Sequence, residues 1–257
     1  FVKTKITRGM AQSAITLPRA ISNRFLGFLP PKIFCALQYA YRLRTWPDFT
    51  NPHGFNEKIQ WLKLHYRDPL LAKCVDKFLV RQVVVDMGLE ELLIPSLGVF
   101  TSAAEIPFDD FPEKFVLKAT HGSGWTIVCK NKASFDQNAA IEEMSGWLKR
   151  NFYREGREWP YKELQPRIVA EAYLEGENGE PPPDLKIFCF HGEPKIIQVD
   201  SDRFVEHRRN MLDTEWNTLP FEFEYPASKH SLEKPGNLSK ILETARRLAK
   251  PFPLALR

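Results

Sequence analysis

A lysine followed at short distance by a glycine-rich turn is the pattern in this chain most suited to chemistry. Lys118 stands just before His121, Gly122, Ser123 and Gly124 in the stretch KFVLKATHGSGWTIVCK, residues 114–130. Two glycines among four positions open backbone angles closed to other residues and let main-chain N–H groups come close to an anion, while Lys118 adds a full positive charge. That combination suits a phosphate. The same Gly-Ser-Gly also makes an ordinary hairpin turn, and on these residues alone both readings stand. The stretch is neither the G-x-x-x-x-G-K-[ST] of a P-loop nor the G-x-G-x-x-G of a dinucleotide fold, so a nucleotide held here is held another way. A second lysine, Lys186, lies in DLKIFCFHGEPKIIQV, and Asp200-Ser201-Asp202 follows it as a D-x-D triplet of the kind that can bind a metal and a nucleotide sugar.

The elements that must position these residues are legible from periodicity. Residues 115–117 and 125–129 read as strands around the glycine turn, 167–174 as a further strand, and 185–190 with 194–199 as a hairpin turning at His191-Gly192-Glu193. Helices are predicted over 31–44, with proline in the first turn and arginines in the last, over 55–66, and over 70–87 with Gly88 as its cap. The helix over 31–44 reads as packed rather than as lying on a membrane, because its polar face lacks a dense basic stripe. Asp76-Lys77, inside the helix over 70–87, reads as a solvated charged pair. A helix over 136–150 follows a capping box at Ser134 and Gln137, and a last amphipathic helix spans 238–250. Residues 95–100 and 107–112 read as loops, and 200–209 as a charged run leading into a loop.

Composition bounds the rest. The 257 residues, 43% hydrophobic and 12% aromatic, suffice for a substantial core in one or two units. The net charge of +4 falls short of the concentrated basic patch of a nucleic-acid binder, so an anionic small molecule fits better. Cys35, Cys74, Cys129 and Cys189 are too widely separated for a zinc knuckle or a disulfide framework, which points to reduced thiols and a cytoplasmic setting. No apolar run reaches the roughly eighteen residues of a membrane span, because Arg24, Pro30, Pro31, Lys32 and Arg42 interrupt the most apolar region.

Taken in order, the helical Asp76-Lys77, the lysine and glycine turn, the strand VAEAYL and the hairpin carrying Lys186 resemble the ATP-grasp superfamily. The wording FNEKIQWLK, KFVLKATHGSG, GREWPY, VAEAYLE, DLKIFCFHGEPK and SDRF is similar to its TupA-like branch, associated with bacterial cell-surface polysaccharide and teichuronopeptide synthesis. The resemblance covers nearly all of residues 50–253. It implies an α+β fold in which two antiparallel-sheet subdomains sandwich ATP: helical regions over 1–50 and 51–90, a lid over 91–165, and a C-terminal subdomain over 166–257. Lys118 and Lys186 stand at the positions of the two phosphate-binding lysines, and His121, Gly122, Ser123 and Gly124 at the lid turn. Glu171, Ala172, Tyr173 and Leu174 correspond to the hinge whose main chain pairs with adenine, with Glu175 or Glu177 toward the ribose. Arg203 is the candidate for holding a γ phosphate or an acyl phosphate, a surface pair with Asp202 being the alternative. The family's Mg²⁺-holding carboxylates lie past the Pro-Phe-Pro at 251–253, and the chain ends at Arg257 before them, so impaired catalysis is expected of this chain.

What the resemblance implies is an ATP-dependent carboxylate–amine ligase that forms an acyl phosphate, with ATP and Mg²⁺ as cofactors and an anionic saccharide or other carboxylate and an amine as substrates. The other readings are a glycosyltransferase using Asp200 and Asp202, disfavoured because the first ninety residues read as helical rather than as alternating strands and helices, and a nucleotide-binding domain without catalysis. Peripheral membrane contact through residues 1–50 stays open, and the oligomeric state is not fixed by sequence.

Overall fold

A computed structural model describes residues 28–176, 179, 182, 184–201, 207–228, 232–252 and 255–256. The chain opens with helices. α1 (Pro31–Leu43) starts on the predicted proline and ends where Arg44 turns left-handed and donates its N–H to Ala40 O. α2 (Phe55–His65) is started by Glu57, whose carboxylate reaches back to the N–H groups of Gly54, His53 and Asp48. The single helix expected over 70–87 is two: α3 (Pro69–Val75) and α4 (Leu79–Asp86). Asp76 causes the break, because its backbone is extended and its Oδ1 accepts from Phe78 N (2.8 Å) and Leu79 N (3.0 Å). An aspartate before an apolar run is an N-cap signature. Gly88 ends α4 at φ +64°, as expected.

Eight strands among the described residues form two four-stranded sheets in which every pairing is antiparallel. The first has the order β1 (Ser96–Phe100), β4 (Ile168–Ala172), β2 (Phe115–Ala119), β3 (Thr126–Cys129). β1 lies where residues 95–100 were expected to be a loop. It survives as an edge strand with a register shift between Ser96 and Gly98. β4 sits between β1 and β2, so this sheet runs through Ala172, past the division drawn at 165 from sequence. α5 (Gln137–Leu148) covers it through Ala140, Met144 and Trp147. Asp136 caps α5 by accepting from Ala139 N, correcting the expected box at Ser134, which belongs instead to a short 3-10 turn capped by Asn131. A one-turn α6 (Tyr153–Gly156) follows.

The second sheet has the order β7 (Arg208–Leu212), β6 (Glu193–Ser201), β5 (Asp184–Phe190), β8 (Ala255–Leu256). The hairpin β5–β6 matches expectation, whereas β7 replaces part of the predicted charged run and loop. α7 (Leu238–Ala249) packs on one face, where Ile197, Val199, Leu212 and Leu238 form a core with Trp216 and Leu242. The described cysteines are all free thiols, and no described helix is long and apolar enough to cross a membrane.

Candidate functional site

The faces of the first sheet follow from the two-residue period of β2. Phe115, Leu117 and Ala119 point into the core beneath α5 and are fully buried. Val116 and Lys118 therefore share the opposite face, and Lys118 lies within β2, not just outside it. Register places Val116 opposite Glu171 and Lys118 opposite Val169, so Lys118 and Glu171 are diagonal neighbours. Lys118 Nζ donates to Glu171 Oε2 at 2.6 Å, and Arg81 from α4 approaches Glu171 Oε1 at 3.7 Å while donating to Ile94 O. Glu171 is 7% exposed, so its charge is sheltered between two cations.

The turn that follows β2 is pinned from behind. Lys77, predicted to be solvated, donates its N–H to Thr120 O (3.2 Å), and its Nζ donates to Ala119 O (2.8 Å) and to Gly122 O. Asp76 is fully buried and accepts from Thr120 Oγ1 (3.2 Å). The pair thus caps α4 and ties that helix to the glycine turn. Burial, then the neighbouring Lys118 cation, pushes the Lys77 ammonium down to about 8 against the opposing pull of Asp76 and Glu171.

Within the turn, His121 is buried, edge-on to Trp125, and its Nε2–H donates to Trp147 O at 3.0 Å; burial pushes its pKa down, so the neutral ring serves packing. Gly122 has no room for a side chain, since a Cβ there would meet the Trp125 ring at 2.4 Å. Ser123 and Gly124 form the exposed tip, with Gly124 at φ +77°. Further along β4, the Glu171 main chain is set in the ladder between Ser96 and Val116, and Ala172 N donates to Pro95 O at 3.0 Å. Tyr173 and Leu174 are the first positions past that ladder. Glu175 pairs with Lys114 at 2.7 Å. Glu177 lies outside the described residues.

On the second sheet, register puts Asp184, Lys186, Gln198, Asp200 and Arg209 on the face away from α7. Lys186 Nζ donates to Asp184 and, at 2.7 Å, to Asp200. Asp200 also accepts from Arg209 Nε (2.6 Å) and Gln198 Nε2 (2.8 Å), with His207 at 3.3 Å. Burial alone would raise the Asp200 carboxyl, but Arg209, Lys186, Gln198 and His207 together hold it well below the usual carboxylate range. Asp200 is therefore enclosed by cations and amides, which leaves the D-x-D reading without a free first acid. Arg203 and Asp202 lie outside the described residues. No group of three His, Cys, Asp or Glu that could hold a metal occurs among the described residues, so they give Mg²⁺ no protein cage.

The structure thus places Lys118 next to the turn that carries His121, Gly122, Ser123 and Gly124, with its ammonium reaching along the sheet to Glu171; Ala172, Tyr173 and Leu174 continue β4 away from that turn, and Lys186 is on the second sheet. Lys77, Arg81 and Arg209 were missed as site residues. Asp76 before the run Phe78-Leu79-Val80 was the available signal for the first of them.

An α+β chain with a lysine on the polar face of each of two antiparallel sheets, and a glycine turn beside one of them, has the parts of an ATP-grasp protein. A family model described as TupA-like ATPgrasp matches residues 57–255, and the chain belongs to this family. A search of curated proteins found no match.

Proposed function

We propose that this protein is an ATP-dependent carboxylate–amine ligase acting in bacterial cell-surface polysaccharide synthesis, in the cytoplasm and close to the membrane where such polymers are assembled. The observation that carries the reading is Lys118 on the polar face of β2, with Lys77 bound to the turn that follows it, whose tip at Ser123 and Gly124 is exposed. ATP would lie between the two sheets with Lys118 and Lys186 on its phosphates, N–H groups of the turn over the β and γ positions, and the main chain at Tyr173 and Leu174 against adenine. Binding requires Lys118 to exchange Glu171, and Lys186 to exchange Asp184 or Asp200, for phosphate oxygens. Such charge-assisted bonds are the strong ones.

In this proposal a substrate carboxylate oxygen attacks the γ phosphorus, the bond to the bridging oxygen breaks, and ADP leaves. An amine nitrogen then attacks the acyl carbon, phosphate departs with the electron pair of its C–O bond, and the amine loses a proton. The chain contributes charge neutralisation and positioning rather than a nucleophile. Arg203 is assigned the transferred phosphoryl group, which a bidentate guanidinium suits. Mg²⁺, when bound, would screen the phosphate charge.

The test is release of ADP and phosphate from ATP in the presence of a uronic acid and an amino acid, for the wild type and Lys118→Ala. Turnover that needs both co-substrates and is lost in the variant is expected. ATP turnover indifferent to carboxylate and amine, or equal in the variant, overturns the ligase reading.

A further inference from the structure

FNEKIQWLK at 55–63 and GREWPY at 156–161 take no part in the nucleotide site, yet the fold brings them together. On α2, Gln60, Lys63 and Leu64 share a face by their three- and four-residue spacing, and Leu64 packs against the cluster of Phe34, Cys35 and Phe49. Arg42 follows Cys35 by about two helical turns and so falls on the same side of α1. Arg157, just past α6 at φ +55°, is buried with its guanidinium carbon 4.9 Å from the centre of the Phe34 ring. Arg67 at the end of α2 lies 5.4 Å from the Trp159 ring and holds this segment to the helices.

Three cations thus meet from three segments. Lys63 and Arg157 both act on the buried Cys35 thiol, whose pKa burial raises and they lower. Burial pushes the Lys63 ammonium down, Cys35 and Glu158 oppose that shift, and Arg42 adds to it. Among the described residues the side chains of Arg42 and Lys63 have no hydrogen-bond or ion-pair partner, and Glu158, the acid that faces Lys63, stands beyond ion-pair distance. Gln60 Oε1, on the Lys63 face of α2, is buried and also without a partner. A half-buried ammonium with no partner loses hydration and gains nothing in return, and groups that cost stability in this way are kept where a ligand supplies what is missing. We propose that this cluster binds the oxyanion of a small hydroxylated molecule, with phosphate or carboxylate oxygens accepting from Arg42 and Lys63, Arg157 adding its charge, and a ligand hydroxyl donating to Gln60 Oε1. The site shares no residue with the nucleotide site, so it and the ligase reading fail separately.

Calorimetric titration of the full chain with inorganic phosphate and, separately, with glucuronate at constant ionic strength tests it. Saturable binding of at least one is expected; phosphate alone makes the ligand a phosphate ester, and glucuronate alone makes it a sugar acid. Lys63→Met and Arg42→Ala should each weaken binding about tenfold, the loss of one charge-assisted bond, while Lys63→Arg keeps most of it. Lys63→Met should melt no lower than the wild type, because it removes an unpartnered cation, and should keep its affinity for a nucleotide analogue. Lys118→Ala should leave the anion bound. No saturation by either anion below about 10 mM overturns the proposal, as does wild-type binding by Lys63→Met. Binding lost in Lys118→Ala but kept in Lys63→Met would give the anion to the nucleotide site and equally overturn it.

Discussion

The depressed Lys77 ammonium makes a proton count that calorimetry can read. In the free protein its pKa lies near 8, so at pH 9 it carries only about a tenth of a proton. A polyphosphate placed beside Lys118 and the glycine turn brings several negative charges close to Lys77 and raises its pKa toward the ordinary 10.5 or beyond. Binding of a non-hydrolysable ATP analogue should therefore take up about 0.9 proton at pH 9, about half a proton at pH 8, and about a tenth at pH 7. The terminal phosphate of the nucleotide titrates far enough below pH 9 to add little there. Titration calorimetry at pH 9 in two buffers of different ionisation enthalpy gives the uptake as the slope of apparent against buffer enthalpy. Lys77→Met should bind more weakly and show almost no uptake. Binding by the wild type without uptake at pH 9, or the same uptake in Lys77→Met, refutes the placement of phosphate beside Lys77. Stability carries a matching sign. A folded pKa below the unfolded one means that the unfolded chain holds more protons between pH 8 and 10.5, so this group makes stability rise with pH through that window, by at most about 3 kcal/mol.

Four other substitutions follow from the same structure. Glu171→Gln removes the carboxylate that Lys118 must release, so analogue binding should tighten several-fold in calorimetry, while urea unfolding shows a loss of about 1–3 kcal/mol because Lys118 and Arg81 lose their sheltered partner. Unchanged affinity would show that Lys118 does not meet the nucleotide. Asp200→Asn strands Lys186 and Arg209 and should cost about 3–5 kcal/mol in urea unfolding at neutral pH. Because the native Asp200 pKa is depressed, that difference is full above about pH 4 and shrinks as pH falls below it toward the native value; a difference that instead grows in acid contradicts the pairing. Gly122→Ala drives a methyl into Trp125 and should shift tryptophan fluorescence, lower the melting temperature and weaken the analogue. Gly124→Ala meets no atom but sits at φ +77°, so it should cost only about 1 kcal/mol, measured by denaturant.

The parts of the fold written locally were the parts legible in sequence. β2 with its turn and β3, and the hairpin β5–β6, show short apolar runs around glycine turns, and α5 and α7 show helical periodicity. β1 was hidden by Pro95 and Gly98, which an edge strand tolerates. β7 was hidden by its arginines, whose charges are acceptable in a strand because Arg209 lies opposite Asp200. The site divided in the same way. Lys118, Lys186 and the glycine turn announce themselves by residue type, whereas the pairing of Lys118 with Glu171 depends on the register of segments some fifty positions apart, which no local pattern encodes. Asp76-Lys77 was visible as a pair but not as a knot, because its partners at Ala119, Thr120 and Gly122 are brought to it only by tertiary packing.

The bond from Ala172 N–H to Pro95 O has a mechanical consequence. The chain enters the first sheet just after Pro95 and leaves it just after Ala172, and that bond staples the two crossings side by side. The Lys77 ammonium grips Ala119 O and Gly122 O at the other end of β2, so the sheet is fastened to the helical segment at two separated points rather than at one.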